Sequence, residues 1–159
     1  MTLNEMIAAL RRQLSDEQAV GWPDNAELLT YLDRAAGFLS EQLIALKDPS
    51  RLKRFRVLGT APLPDDFTAF AGSVPIAVRG GTCEFYGDFP VDADYWGKLP
   101  PPSLQGEADE ELPYSHNECV LIADIARIFA LNKNEYDISQ DMSLLSTLQT
   151  SMAAARKGQ

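Results

Sequence analysis

The chain has 159 residues, enough for one domain that buries roughly two thirds of the surface its unfolded chain exposes. Asp and Glu number 23 against 14 Lys and Arg, a formal charge of -9, and such a surface argues against a sequence-independent grip on nucleic acid. Cys83 and Cys119 form no close-spaced redox or metal pair, no stretch is long and apolar enough to span a bilayer, and the opening residues do not read as a signal peptide.

Leu3, Ile7, Leu10 and Leu14 recur at three- and four-residue intervals and predict a short helix with Glu5, Arg11 and Arg12 outside its apolar stripe. "SDEQAVG" ends it and leads into "VGWPDNAELLTYLDRAAGFL". There Asp24 is a good N-cap, expected to accept from the amide of Glu27 while Glu27 reaches back to the cap amide. Pro23 is stiff just outside the helix, and Trp22 offers a large apolar face to Leu28 or to the first helix. Leu28, Leu32, Ala35, Leu39, Leu43 and Leu46 then form one stripe, and Pro49 stops the helix.

Residues 50–113 differ in kind, with eight of the ten prolines. Short apolar clusters, "FRVL", "VPIAV" and "CEFYGDF", sit between turn signals and predict short strands and ordered loop. Phe55, Phe67, Phe70, Phe85, Tyr86, Phe89, Tyr95 and Trp96 are too dense for a disordered linker, so the segment is expected to fold against the helices or a partner. A third helix follows from Cys119, Ile122, Ala123, Ala126, Phe129 and Ala130, and a fourth from Leu144, Leu145, Leu148 and Met152, ending in Arg156 and Lys157. The expected fold is a single domain over 1–159, mainly α. It is a three- or four-helix bundle from about 3–48 and 115–156, interrupted by a long proline- and aromatic-rich insertion containing short strands.

Chemistry-bearing residues are sparse. His116 is the only histidine, with no nucleophile placed near it by pattern, and is expected to cap or pack; Cys119 faces the apolar stripe as a core residue. Asp65 and Asp66 in "LPDDF", and Asp88, Asp92 and Asp94 in "DFPVDADYW", are paired acids of the kind that run glycoside hydrolysis, but proline-aspartate neighbours are also ordinary turn chemistry. "RLKRFR" concentrates Arg51, Lys53, Arg54 and Arg56 around Leu52 and Phe55, and reads as a solvated edge, as a contact for an acidic protein surface such as a neighbouring subunit, or, more weakly on so acidic a chain, as a nucleic-acid contact. "RGGT", residues 79–82, lacks the lysine and spacing of a phosphate loop. The second helix shows Asp24, Glu27, Asp33 and Glu41 where a DNA-reading helix would show Arg, Lys, Asn or Gln. No catalytic, cofactor or metal residue is assigned.

Four elements in order, "WPDNAELLTYLDRAAGFLSEQL", "LPDDF", "YWGKLPP" and "DEELPYSHNECVLIADIARIFAL", resemble the head-to-tail adaptor or connector proteins of tailed bacteriophages, including the tail accessory factors of short-tailed phages. In that family a tryptophan, a small residue and an aspartate commonly precede an "ELLxYLN" helix. Trp22, Asp24 and Glu27 to Leu32 match, with Pro23 in place of the small residue and Asp33 where asparagine is usual. "LPxDF" falls on Leu63 to Phe67, the tyrosine-rich strand before a proline turn on Tyr95 to Pro101, and the "LP" before the third helix on Leu112 and Pro113. Residues 72–94 match no element of the family.

The resemblance implies a structural virion protein without enzymatic activity or cofactor. It would join the portal to the tail or stopper proteins as part of a dodecameric ring through which DNA passes without specific binding. It would have no membrane anchor, and would be made in the cytoplasm of a bacterial host from a phage or prophage genome. The expected subunit or portal interface is Arg51, Arg54, Phe55, Arg56, Phe85, Tyr86, Phe89, Tyr95 and Trp96, with Trp22, Asp24, Glu27, Leu28 and Leu32 structural. The competing expectation is a small cell-wall glycan hydrolase of genome delivery, acting through a carboxylate such as Glu118 or Asp66.

Overall fold

The computed structural model describes residues 1–57, 60–85, 91–105, 109–132, 146 and 150, with the backbone alone at Phe85 and Val91. Its described elements are α1 (Leu3–Gln13), α2 (Asn25–Ala45), β1 (Leu52–Val57), β2 (Ala61–Pro62), β3 (Phe67–Phe70), β4 (Ile76–Arg79), β5 (Thr82–Phe85), β6 (Val91–Gly97) and α3 (His116–Leu131). Two antiparallel three-stranded sheets, ordered β1-β6-β3 and β2-β5-β4, make this an α+β fold. The expected mainly α helix bundle is therefore incorrect: the segment read as an insertion carries sheets of its own. The expected fourth helix lies outside the described residues, apart from Ser146 and Thr150, which are helical.

The chain divides into two compact units, 1–36 with 101–159 and 37–100. In the first, Met6, Leu10, Leu28, Leu32, Ile122 and Ala126 are fully buried, each on the apolar face of its helix. Both α1 and α3 begin with capping boxes. Thr2 accepts from the Glu5 amide while Glu5 accepts from the Thr2 amide, and Ser115 and Glu118 repeat the arrangement, satisfying amides that no helical carbonyl reaches. Gln13 bonds Asp124 at 2.8 Å and Arg34 lies 4.5 Å from the centre of the Phe129 ring, so polar tips join the helices around the apolar core.

The start of α2 is set by more than its own cap. Asp24 accepts the Ala26 amide at 2.8 Å, and Glu27 accepts the Tyr31 hydroxyl at 3.0 Å. Ahead of them, Asp16 is nearly buried and its carboxylate gathers the amides of Val20, Gly21 and Trp22 at 2.7 to 3.0 Å. Arg11 bonds Asp16 at 2.9 Å and Asn25 at 2.7 Å, tying the end of α1, the loop and the first residue of α2 together. Trp22 itself is half-buried, and Ser15 and Ala19 take left-handed backbone at φ 54 to let the loop close.

In the second unit, Leu39, Leu43, Val57, Cys83, Ala93, Tyr95 and Leu99 are buried. The buried Ser40 hydroxyl accepts the Leu99 amide at 2.8 Å and pins the chain leaving β6 to α2. "RGGT" is a hairpin: Arg79 pairs with Thr82, and Gly80 and Gly81 supply the two positive φ values, 55 and 77, that a two-residue turn between twisted strands requires.

Candidate functional site

Three groupings that stand apart in the sequence, "RLKRFR", "LPDDF" and the "VDADYW" part of "DFPVDADYW", converge on the β1-β6-β3 sheet. The register pairs Leu52 with Trp96, Arg54 with Asp94 and Arg56 with Asp92, and on the other face Lys53 with Tyr95 and Phe55 with Ala93. Side chains alternate across a strand, so the first set shares the face that keeps Leu52, Arg54, Arg56 and Asp92 exposed. Val57, Ala93 and Tyr95 line the inner face and are buried. The basic run is thus one half of a cross-strand charge ladder whose other half is Asp92 and Asp94. Arg54 Nε donates to Asp94 Oδ1 at 2.9 Å; that bond, the Asp94 charge and the nearby Asp92 raise the guanidinium's already high pKa.

Asp66 locks the sheet. "LPDDF" is a turn in which the Phe67 amide returns to the Pro64 carbonyl at 3.0 Å, leaving Asp65 exposed and turning Asp66 inward. The Asp66 carboxylate accepts from the Lys53 ammonium and from the Tyr95 hydroxyl, the latter at 2.9 Å, and its own carbonyl accepts the Lys98 amide at 2.8 Å. Phe67 packs on Phe70 and Tyr95 with ring centres 4.8 and 5.8 Å away. Burial pushes the Asp66 carboxyl up, but the bonds from Lys53 and Tyr95 and the Lys53 charge outweigh it and hold it below its ordinary value. Burial, with the Asp66 bond and charge, pushes the Tyr95 hydroxyl up to about 12.

Asp16 is depressed too. The Gly21 amide is the largest influence; burial works against it, and the Trp22 and Val20 amides and Arg11 work with it. A carboxyl depressed in the folded state contributes stability that is complete above its unfolded value and lost as pH falls through the folded one. Stability is therefore expected to decline below about pH 4, checked by urea unfolding across that range. The Asp16→Asn/Asp66→Asn variant should be weaker at neutral pH and flatter below pH 4; an equal acid slope in both proteins would show that these two groups do not carry it. Tyr95 acts in the opposite sense: its contribution is whole below the ordinary value of 10.0 and lost as pH rises through about 12.

The remaining candidate residues divide clearly. Arg51 ends a 3-10 turn, Pro49–Arg51, immediately before β1, and Phe55 is half-buried on the inner face. Trp96 is half-buried opposite Leu52, whereas Tyr95 belongs to the sheet interior. Phe85 lies in β5 with its side chain outside the described set; Tyr86, Asp88 and Phe89 lie outside the described residues. His116 is exposed at the first position of α3. Burial raises the Cys119 thiol, which suits a core residue, and the buried Cys83 thiol donates to the Ala61 carbonyl at 3.1 Å. Glu118 is occupied in its capping box. Among the described residues no three His, Cys, Asp or Glu gather to hold a metal ion, and no helix is long and apolar enough to cross a membrane.

Sequence reasoning missed the Arg11–Asp16 pair altogether, and it weighed Lys53, Asp66 and Asp94 only as separate runs. The available signal was a lone aspartate ahead of a tight loop whose amides it could gather, together with opposite charges in segments of matching strand length. No protein-family model matches the sequence, and no curated protein is significantly similar to it. The arrangement offers a charge-alternating sheet face ending in Leu52 and Trp96, a surface suited to protein contact, where Arg and Trp carry much of the energy.

Proposed function

We propose that this chain is a structural assembly protein of the phage connector kind, a ring component that joins portal to tail at the DNA exit. The observation that carries the reading is the use the fold makes of the elements of the resemblance. "LPDDF" and "YWGKLPP", some thirty residues apart in sequence, meet through Asp66, which bonds the Tyr95 hydroxyl and the Lys98 amide. "WPD" forms the latched entry to α2, and Leu112 of the "LP" before α3 donates its amide to the Met1 carbonyl at 3.0 Å. Residues at such joints carry an architecture, and an architecture is what a connector family shares.

Two further properties fit. The net charge of -9 favours a conduit that DNA leaves without sticking. The outer face of the β1-β6 pair supplies Arg and Trp anchors for a neighbouring protein. In this reading the protein resides in the virion after synthesis in the host cytoplasm.

The test is electron microscopy of the chain mixed with its cognate portal. A ring of this chain capping the portal is the expected result. Failure of the two to associate at micromolar concentration, with both proteins folded, would remove the proposal.

A further inference from the structure

Sheet order leaves the outer edge of β1 without a neighbouring strand among the described residues. Lys53, Arg54 and Arg56 are exposed along it, while the acids that answer Arg54 and Arg56, Asp94 and Asp92, stand on β6, one strand farther in. Adjacent strands are about 4.8 Å apart, so an approaching surface meets the cations first. Arg54 remains 69% exposed although Asp94 takes its Nε, and a guanidinium fork has further N–H donors to offer a second carboxylate. Two copies meeting β1 to β1 would set cation against cation, so this edge disfavours a two-fold contact with itself.

The complementary row is on the same chain. Asp109, Glu110 and Glu111 are consecutive and exposed. The segment is already tied down: Asn4 donates to the Asp109 carboxylate at 2.8 Å, the Glu111 backbone forms a β-bridge with Thr2, and the Leu112 amide bonds the Met1 carbonyl. A segment whose backbone is tied down before contact loses little further backbone freedom on binding.

We infer that the β1 edge of one copy docks on the Asp109–Glu111 row of a second copy. The inference rests on the assembly reading and supplies its subunit contact. Two different patches meet, so the contact is heterologous and, repeated, generates a closed ring or a filament. Copies carrying -9 each also repel at long range. The Debye length falls from about 30 Å at 0.01 M salt to about 8 Å at 0.15 M and 3 Å at 1 M, so repulsion between whole copies is screened before the contact pairs are. Association is therefore strongest at intermediate salt.

Charge exchange tests this. Arg54→Glu/Arg56→Glu keeps the Lys53–Asp66 pair, and Glu110→Lys/Glu111→Lys keeps the Asn4–Asp109 bond. In sedimentation velocity of the full chain at intermediate salt, wild type associates and each double variant alone associates at least about tenfold more weakly. The two variants mixed recover, because both sides of the contact are again opposite in sign. Circular dichroism checks folding, and Arg56→Glu alone replaces the β1 variant if that fails to fold, with a smaller loss and the same recovery expected. Association unchanged in either variant, a mixture no better than its parts, or a wild type monomeric at every salt overturns the contact. A portal-bound ring that tolerates both reversals would sink this contact and keep the assembly reading. Sign-dependent association of a chain that ignores the portal would do the reverse.

Discussion

Gly97→Ala is expected to cost about 2 kcal/mol, within the range of roughly 1–3 for extra atoms forced into a packed site. A Cβ on Gly97 would stand 2.7 Å from Asp66 Oδ2 and 3.0 Å from Lys53 Cδ, inside the contact distance of both. The lysine methylene can swing away, but the carboxylate cannot do so freely, because Lys53 and the Tyr95 hydroxyl hold its two oxygens. The methyl therefore moves Asp66 and loosens the joint between the β3 turn and the β1-β6 pair. Urea unfolding measures the loss. Combining it with Asp66→Ala identifies the cause: if the clash is with the carboxylate, the double variant loses less than the sum of the two single changes. Strict additivity would point to a different origin.

Leu32→Ala is expected to cost about 3 kcal/mol, in the middle of the range of roughly 2–5 for a buried leucine. Leu32 is fully buried one turn beyond the equally buried Leu28, on the α2 stripe that also contains Ala35 and Ala36. Glu41→Ala on the exposed side of the same helix serves as the control and should fall within about 0.5 kcal/mol of wild type. Because alanine is the best helix former, helix propensity predicts no loss at either position, and equal losses would mean that burial of Leu32 does not set the cost.

The helices are legible in the sequence because their determinants are local. The stripes through Leu10, Leu28, Leu32, Leu39, Ile122 and Ala126 repeat within one or two turns, and all of these residues are buried. Both capping boxes are equally local, as "TLNE" and "SHNE": the cap of α3 is Ser115 with Glu118, and the capping role expected of His116 belongs to its neighbour. "RGGT" fails as a phosphate loop, but a glycine pair between "IAVR" and "TCEF" is a hairpin signal in its own right. Each of these features is spelled out within a few consecutive residues, so none of them needs the tertiary fold to be recognised.

The strands at "FRVL", "VPIAV" and "CEFYGDF" are legible as short apolar clusters and fall in β1, β4 and β5, but their pairing into sheets is not. In "LKRFRV" Lys53, Phe55 and Val57 share the inner face, but Lys53 stays exposed along with Leu52, Arg54 and Arg56, so the strand's alternation is masked by its charges and the run reads as a basic patch. What makes it a strand is β6, forty residues away, which sets Asp94 opposite Arg54 and Tyr95 opposite Lys53. Cross-strand pairs stabilise a sheet, and no property of either segment alone names its mate. A fold class inferred from local pattern therefore overweights the helices.

By itself the sequence determined where the apolar helical stripes run and where the chain turns, since each depends on residues within a few positions of one another. Only the tertiary structure decided that Arg11 and Asp16 latch the entry to α2, that Asp66 joins Lys53 to Tyr95, and that three separate charged runs form one sheet. Those partners are chosen by strand register and burial, which exist once the chain has closed on itself.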